Sequence, residues 1–249
     1  MVKNERQRII IDKIRVEKKV SSSVLAEELS VSEDTIRRDL NELDGKGLLS
    51  KIHGGAVSTI QKLYHYNDNV IVNSDKKEII ANKASTLIKN GMSIIISGGT
   101  TNLAFVRLLP KELKITIYTY CLPIAMELTG HPNIEIIFIG GKIHKKAMVT
   151  VGIDVIQKLA KIKADMCFIG TGSLDVDNGI TEGSYEVALM KKAMIEVSNA
   201  TVSLVTSNKL GLKQSYHVCS LTEVDAVVTD LDIDNELLLE YQKSGVNIL

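Results

Sequence analysis

The stretch Ser23–Val57, SVLAEELSVSEDTIRRDLNELDGKGLLSKIHGGAV, decides how the N-terminal part of the chain is read. Its pattern is helix, tight turn, second helix, short ribbon. In the first segment Val24, Leu25 and Leu29 are expected on one helical face, and Val31-Ser32 breaks the helix with a serine suited to cap the next one. In the second, Ile36, Leu40 and Leu43 recur at i, i+4 and i+7 and face inward, which leaves Thr35, Arg37 and Arg38 on or near the outer face. A short cationic helix after a tight turn is the arrangement that enters a DNA major groove, its N-terminal residues meeting base edges and its arginines meeting guanine or phosphate. The tail Lys51-Ile52-His53-Gly54-Gly55-Ala56 adds what a bare packing module does not require. Two glycines after a basic residue and a histidine suit a wing whose backbone approaches phosphate. The expected DNA-contacting set is Ser32, Thr35, Arg37, Arg38, Lys51, His53 and Gly54.

Working outward, residues 4–17 place Ile9, Ile10, Ile14 and Val16 among charges, as in an amphipathic helix that buttresses the next two. Val20 after Lys18-Lys19 reads as a short link, and Ser21 to Ser23 offer caps for the second helix. Beyond the wing, Ser58 to Ser74 has no clear period and reads as an interdomain linker, with Tyr64 and Tyr66 available to dock on a neighbouring domain. The expected organisation is a winged helix-turn-helix domain over 1–57, a linker over 58–74 and a larger domain over 75–249. A chain of 249 residues is long enough for both cores.

From Asp75 onward short apolar runs alternate with helical patterns. SIII (93–96), ITIYT (115–119), IEIIFI (134–139), MCFIG (166–170), TVSLV (201–205), DAVVT (225–229) and the final VNIL read as strands. Helices are expected over 76–90, 97–109, 122–129, 150–160, 184–199 and 233–244. The fold class is therefore α/β, a doubly wound, mostly parallel sheet covered on both faces.

In such a sheet ligands bind beyond the carboxyl ends of the strands. After SIII comes Ser97-Gly98-Gly99-Thr100-Thr101 and then a helix start. Converging backbone amides, two hydroxyls and the positive end of a helix make an anion site there, with phosphate the natural guest; the plain alternative is a glycine turn with a threonine cap. Other strand ends offer Tyr120-Cys121, Gly140-Gly141-Lys142, Gly170-Thr171-Gly172-Ser173 and Thr206-Ser207-Asn208-Lys209. Lys142 and Lys209 are cations placed where an anionic ligand needs them, or else ordinary surface lysines. Thr181, Glu182 and Glu186 are acceptors for sugar hydroxyls, although Glu186 and Lys191 equally suit a solvated helix face.

Composition narrows the class further. Formal net charge is zero, and the first 57 residues carry 11 Lys+Arg against 10 Asp+Glu, so no global field points to nucleic acid and the DNA reading rests on pattern alone. Three cysteines lie far apart without a C-x-x-C pair, against a disulfide framework or thiolate metal site and in favour of a reducing compartment. No apolar run approaches about 18 residues and the N-terminus is charged, so a soluble cytoplasmic protein with no membrane partner is expected. Aromatic residues are only 4% and tryptophan is absent, which removes a stacking platform for single strands. No cofactor or metal site is read. Gly170-Thr171-Gly172 lacks the third glycine of a dinucleotide fingerprint, and no Walker A sequence is present.

The run VSEDTIRRDLNELDGKGLLSKIHGGAV, Val31 to Val57, resembles the N-terminal signature of the DeoR family of bacterial transcriptional regulators. The SGGTT loop, Gly140-Gly141-Lys142, Gly179-Ile180-Thr181-Glu182 with the following E-x4-K-K-A-M-I helix, and Asn208-Lys209-Leu210-Gly211 resemble that family's C-terminal effector domain, so the similarity spans almost the whole chain. It implies a sensor domain similar in fold to ribose-5-phosphate isomerase and glucosamine-6-phosphate deaminase, which senses phosphorylated sugars and releases operator DNA. It also implies phosphate contacts at Gly99, Thr100 and Thr101 and pocket roles for Lys142, Thr171 and Lys209. The chain departs from the family's frequent residues at Ser97, Thr206 and Ser184, where Asp is common, and at Thr119-Tyr120-Cys121, where T-N-N is common. The run Thr119 to Pro123 resembles the lactose-operon repressors of Gram-positive bacteria, which answer to tagatose 6-phosphate.

The expected effector set is thus Ser97, Gly98, Gly99, Thr100, Thr101, Tyr120, Gly141, Lys142, Thr171, Glu182 and Lys209. The expected partners are double-stranded operator DNA, a phosphosugar, and further copies of the chain, because one recognition helix reads too few base pairs alone; a homodimer or homotetramer satisfies this. The competing reading is a phosphosugar isomerase or deaminase with an appended DNA-binding module. There Asp175, Asp177, Glu182 or Asp230 acts as general base and Lys209 steadies an enediolate. No paired-carboxylate or His-carboxylate arrangement supports it, and His131, His144 and His217 are expected on surface loops.

Overall fold

The structure is a computed structural model that describes residues 3–17, 19–46, 48–57 and 74–249. Tyr64, Tyr66 and all of the expected linker but Ser74 lie outside the described residues. Those that are described form two compact units, one on each side of that segment.

The first unit comprises α1 (Lys3–Glu17), β1 (Lys19–Ser21), α2 (Ser22–Glu28), α3 (Glu33–Gly45), β2 (Ser50–Ile52) and β3 (Gly55–Val57). Ile10, Ile14, Leu25, Ile36, Leu40, Leu43 and Leu49 form its core. Val24 is 46% exposed, against expectation, because the buried stripe of α2 runs through Ser22, Leu25 and Ala26. Val20 is no link either: it belongs to β1, which pairs antiparallel with β3, and the sheet order is β1-β3-β2. That pairing explains Gly55, whose added Cβ would lie 2.0 Å from the Val20 carbonyl oxygen. The second glycine of the wing therefore serves strand pairing, while Gly54, at φ +78°, makes the hairpin turn.

One charge sits on the core stripe of α3. Asp39 is buried and accepts hydrogen bonds from Arg6 Nε at 2.5 Å and Gln7 Nε2 at 3.2 Å, tying α1 to α3.

The second unit runs α4 (Ser74–Ser85), β4 (Ser93–Ile96), α5 (Thr100–Arg107), β5 (Thr116–Thr119), α6 (Leu122–Leu128), β6 (Glu135–Phe138), β7 (Lys142–His144), β8 (Val149–Val151) and α7 (Ile153–Leu159). It continues with β9 (Met166–Gly170), β10 (Ser173–Asp175), β11 (Gly179–Glu182), α8 (Tyr185–Glu196), β12 (Thr201–Leu204), β13 (Tyr216–Cys219), β14 (Ala226–Val228), α9 (Leu239–Lys243) and β15 (Asn247–Ile248). Seven parallel strands form the main sheet in the order β15-β14-β12-β9-β4-β5-β6. Ile94, Ile95 and Ile96 are all fully buried, and since consecutive strand residues face opposite ways, both faces of the sheet are covered.

Several expectations shift. The helix read over 150–160 begins only at Ile153, because Val149–Val151 pairs with Lys142–His144 in a hairpin. The helix read over 233–244 is a 3-10 turn at Glu236–Leu238 followed by the short α9. A second small sheet, β10-β11-β13, has no counterpart in the apolar pattern, since its strands are short and partly polar. His131 is buried rather than on the surface, its backbone N–H donating to Leu128 O at the end of α6.

Chain order places the site. The strands β4, β5 and β6 are laid down in one direction; β9 then returns to the other side of β4, and β12, β14 and β15 continue outward. The strand order reverses between β4 and β9, which is where an open α/β sheet leaves a crevice.

Replacing Asp39 with alanine leaves Arg6 buried without this carboxylate, a loss of about 3 kcal/mol. Amide hydrogen exchange on the full chain is expected to quicken across α1 and α3 and to stay unchanged across the seven-stranded sheet; unchanged protection of α1 would contradict the bracket.

Candidate functional site

The first candidate face lies on α3. The Ser32 hydroxyl accepts the Thr35 backbone N–H at 3.3 Å and lies 2.9 Å from the Thr35 hydroxyl, so both residues shape the helix start. Arg37 and Arg38 project from the opposite side to the core, with side chains 62% and 80% exposed. They pair with Glu33 at 3.5 Å and Asp34 at 2.7 Å one turn back. Exposed pairs of this spacing are worth about 0.3–0.5 kcal/mol, less than the roughly 1–3 kcal/mol of a good bidentate contact to a base, so they do not bar either arginine from such a contact.

Lys51 joins the wing to this stripe. Its Nζ donates to Asn41 Oδ1 at 2.6 Å, and Asn41 follows Arg37 by four residues on the same helical face. Its backbone N–H donates to Asp44 Oδ1 at 3.1 Å. His53 and Gly54 are exposed at the hairpin turn. Asn41 was not apparent from the sequence, because its contribution comes from holding a residue of the wing.

The second candidate face is the β4/β9 switch point. Ser97, Gly98 and Gly99 leave β4 and abut Gly170 at the end of β9: a Cβ on Gly170 would lie 2.5 Å from Gly98 O, and one on Gly99 3.6 Å from Gly170 Cα. Ser97 is fully buried, and its Oγ accepts the Gly170 N–H at 2.9 Å and Asn102 Nδ2 at 3.1 Å. The serine that stands where the family often has Asp thus stitches the two strand exits together. Gly99, at φ +132°, is the N-cap of α5 and supplies no capping side chain, so the first turn, with Thr100 and Thr101, presents its amides uncapped.

Three consecutive residues leaving β9 gather the rest. Gly170 O accepts Lys191 Nζ at 2.8 Å, and Thr171 O accepts Lys209 Nζ at 2.8 Å. Gly172 faces Glu182, whose Oε2 would be 3.2 Å from an added Cβ. Lys191 also pairs with Glu182, and its side chain is 4% exposed, so it does not decorate a solvated face. Burial pushes the Glu182 carboxyl up, but the Lys191 ammonium and the Gly183 N–H outweigh this and hold it below the usual range. The Thr171 hydroxyl lies 2.6 Å from Ser203 Oγ in the interior.

A cation missed in the sequence lies beside this group. Lys77 is buried on α4, and burial first, then the neighbouring Lys209 ammonium, push its pKa down to about 8. Helix α4 is fixed against the sheet by Lys76, which donates to Ser207 Oγ at 2.6 Å, and by Lys83, which donates to Leu231 O at 2.9 Å. The signal was present: Lys77 falls on the stripe of Ile80, Ala81 and Ala84.

The remaining expected residues sit elsewhere. Tyr120 is fully buried with its hydroxyl 3.6 Å from Met194 Sδ. Gly141 packs on Val155, and Lys142 on the β7 hairpin is 73% exposed and bonds to Glu186 at 3.2 Å. Of the acids of the enzymatic reading, Asp177 is exposed, and the other three are held by their surroundings. Asp230 binds the Ser207 N–H at 2.6 Å, and Asp175 accepts two backbone N–H groups in its own turn. Glu182, held low, is a poor base near neutral pH.

Residues 6–62 match the DeoR-like helix-turn-helix domain, and residues 72–231 match the DeoR C terminal sensor domain. The chain belongs to the DeoR family. It is 31% identical over 246 residues to the HTH-type transcriptional regulator GolR of Listeria innocua, covering 98% of this chain and 97% of the relative. It is 31% identical over 233 residues to the glycerol-3-phosphate regulon repressor of Escherichia coli, covering 92% of each. Among solved structures, ribose 5-phosphate isomerase A of Methanocaldococcus jannaschii aligns at 22% identity and a TM-score of 0.42 over 55% of each chain. This DeoR-family chain is a helix-turn-helix transcriptional regulator and not an enzyme. No described helix is long and apolar enough to cross a membrane. Among the described residues no cluster suits a metal, and Cys121, Cys167 and Cys219 are buried and form no disulfide.

Between pH 8 and 10.5 the native chain has released the Lys77 proton that the unfolded chain still holds, so this residue makes stability rise with pH across that window. Urea unfolding of wild type and Lys77→Met, compared at intervals through it, is expected to show the wild type gaining on the variant as pH rises. A constant difference would contradict the buried placement of Lys77.

Proposed function

We propose that this regulator represses a sugar-metabolism operon and is released from operator DNA by a phosphorylated sugar bound at the β4/β9 switch point. The observation that carries the reading is the glycine-capped start of α5 against Gly170, whose neighbour Thr171 holds Lys209, with Lys77 next to that lysine. Backbone amides, a helix dipole and nearby cations each stabilise a dianionic phosphate. The naming of the Escherichia coli relative for glycerol 3-phosphate is consistent with a phosphorylated polyol as the signal.

On this reading Arg37 and Arg38 meet the major groove and Lys51, His53 and Gly54 meet the adjoining backbone, with Ser32 and Thr35 setting the helix start. Gly98, Gly99, Thr100 and Thr101 hold the phosphate, and Glu182 lies toward the sugar. Two copies or more place two recognition helices on a palindromic site in the cytoplasm. The division into two compact units supports a DNA-binding domain over 1–57, a connecting segment to about Ser74, and a sensor domain beyond it. The lactose-operon likeness of Thr119 to Pro123 gives little guidance to the ligand. The Thr119 hydroxyl donates to Ile96 O at 2.8 Å and accepts the Cys121 N–H at 3.1 Å, which shapes the turn into α6.

Replacing both Arg37 and Arg38 with alanine is expected to lower affinity for a DNA fragment selected by the full chain by about 1–3 kcal/mol for each of the two arginines that reads a base. The melting shift that a bound sugar phosphate gives the sensor unit should persist. Gel retardation and thermal unfolding on the same samples check both, and undiminished DNA binding would refute the recognition-helix assignment.

A further inference from the structure

We propose that Gln214 reads a hydroxyl group of the effector, giving the site an uncharged, polyol-recognising subsite on the Gly172 side, distinct from its cationic end. The inference rests on the sugar-phosphate reading above and concerns the part of the ligand that is not phosphate.

Gln214 lies between the 3-10 turn Ser207–Lys209 and β13. Its backbone is pinned: the N–H donates to Thr181 Oγ1 at 2.8 Å, and that hydroxyl lies 2.8 Å from the buried Ser173 Oγ. The side chain crosses two glycine faces. A Cβ on Gly183 would lie 2.6 Å from Gln214 Oε1, and one on Gly172 would lie 3.2 Å from Gln214 Nε2 and 3.2 Å from Glu182 Oε2. Glycine at both positions leaves the space that lets the amide lie next to the carboxylate. Gln214 is half-buried, and its side-chain amide makes no hydrogen bond among the described residues.

The chemistry of the pair selects its guest. Glu182 is ionised and accepts only, one oxygen facing Lys191 and the other taking the Gly183 N–H at 2.9 Å. An amide both donates and accepts. A hydroxyl that donates to the carboxylate and accepts from the amide satisfies both, whereas a phosphate beside Glu182 meets like charge. The phosphate therefore belongs at the α5 start with Lys77 and Lys209, and the hydroxylated carbons lie toward Gly172.

Isothermal titration of the full chain with inorganic phosphate and with ribose 5-, glucose 6-, fructose 6-, galactose 6- and tagatose 6-phosphates tests this. At least one sugar phosphate is expected to bind wild type about ten-fold more tightly than inorganic phosphate, and Gln214→Met and Gln214→Ala should each remove about that factor for the sugar while leaving inorganic phosphate within about two-fold. Thermal unfolding of the two variants confirms that they fold. Unchanged sugar-phosphate affinity in both variants, or equal weakening of sugar phosphate and inorganic phosphate, overturns the hydroxyl subsite. Wild type that binds inorganic phosphate as tightly as every sugar phosphate also overturns it while leaving the phosphate reading standing. Wild type that binds none of the probes overturns both.

Discussion

The sensor unit depends on the close approach of two strand exits, Gly98 after β4 and Gly170 after β9. A single Cβ at Gly170 would stand 2.5 Å from the Gly98 carbonyl oxygen, and one at Gly98 would stand 2.5 Å from Val149 Cγ1. Because neither is present, the Ser97 hydroxyl reaches the Gly170 N–H and the carbonyls of Gly170 and Thr171 turn toward Lys191 and Lys209. The crevice that parallel topology leaves at the reversal of strand order is thereby narrowed between the start of α5 and the carbonyls that hold Lys191 and Lys209. Backbone, rather than any single side chain, sets its shape.

Periodicity made most of the fold legible. The SIII and MCFIG runs became β4 and β9, and Ile36, Leu40 and Leu43 became the buried face of α3, because fully buried strands and amphipathic helices announce themselves in apolar spacing. What spacing concealed has a common physical form. Asp39, Lys77 and Lys191 each occupy a core stripe, where the pattern calls for an apolar residue, and each is buried. Such residues need partners on other elements, Arg6 on α1 for Asp39 and Glu182 on β11 for Lys191, and the spacing of one helix does not record those. A charged residue on an apolar stripe was the available signal. The short strands of the β10-β11-β13 sheet left no signal of that kind, and with them the position of Gln214 was invisible.

The candidate DNA-binding face obeys a related rule about charge. Zero net charge and a nearly balanced first unit argue against a strong long-range field. Arg37 and Arg38 are nonetheless exposed on the helix from which Asn41 holds Lys51, while Asp39 is paired inside with Arg6. Local arrangement decides what composition leaves undetermined. For a sugar phosphate to control this face, it must bind the DNA-competent and DNA-released conformations unequally, since equal affinity shifts no population.

Fluorescence anisotropy of the full chain on its selected operator fragment, titrated with the tightest-binding sugar phosphate, tests that coupling most directly when wild type is compared with Lys209→Met. Ligand is expected to weaken operator binding by wild type and to leave the variant bound, with equal operator affinity for the two proteins when ligand is absent. Operator binding that does not respond in wild type, or that responds equally in the variant, would contradict it.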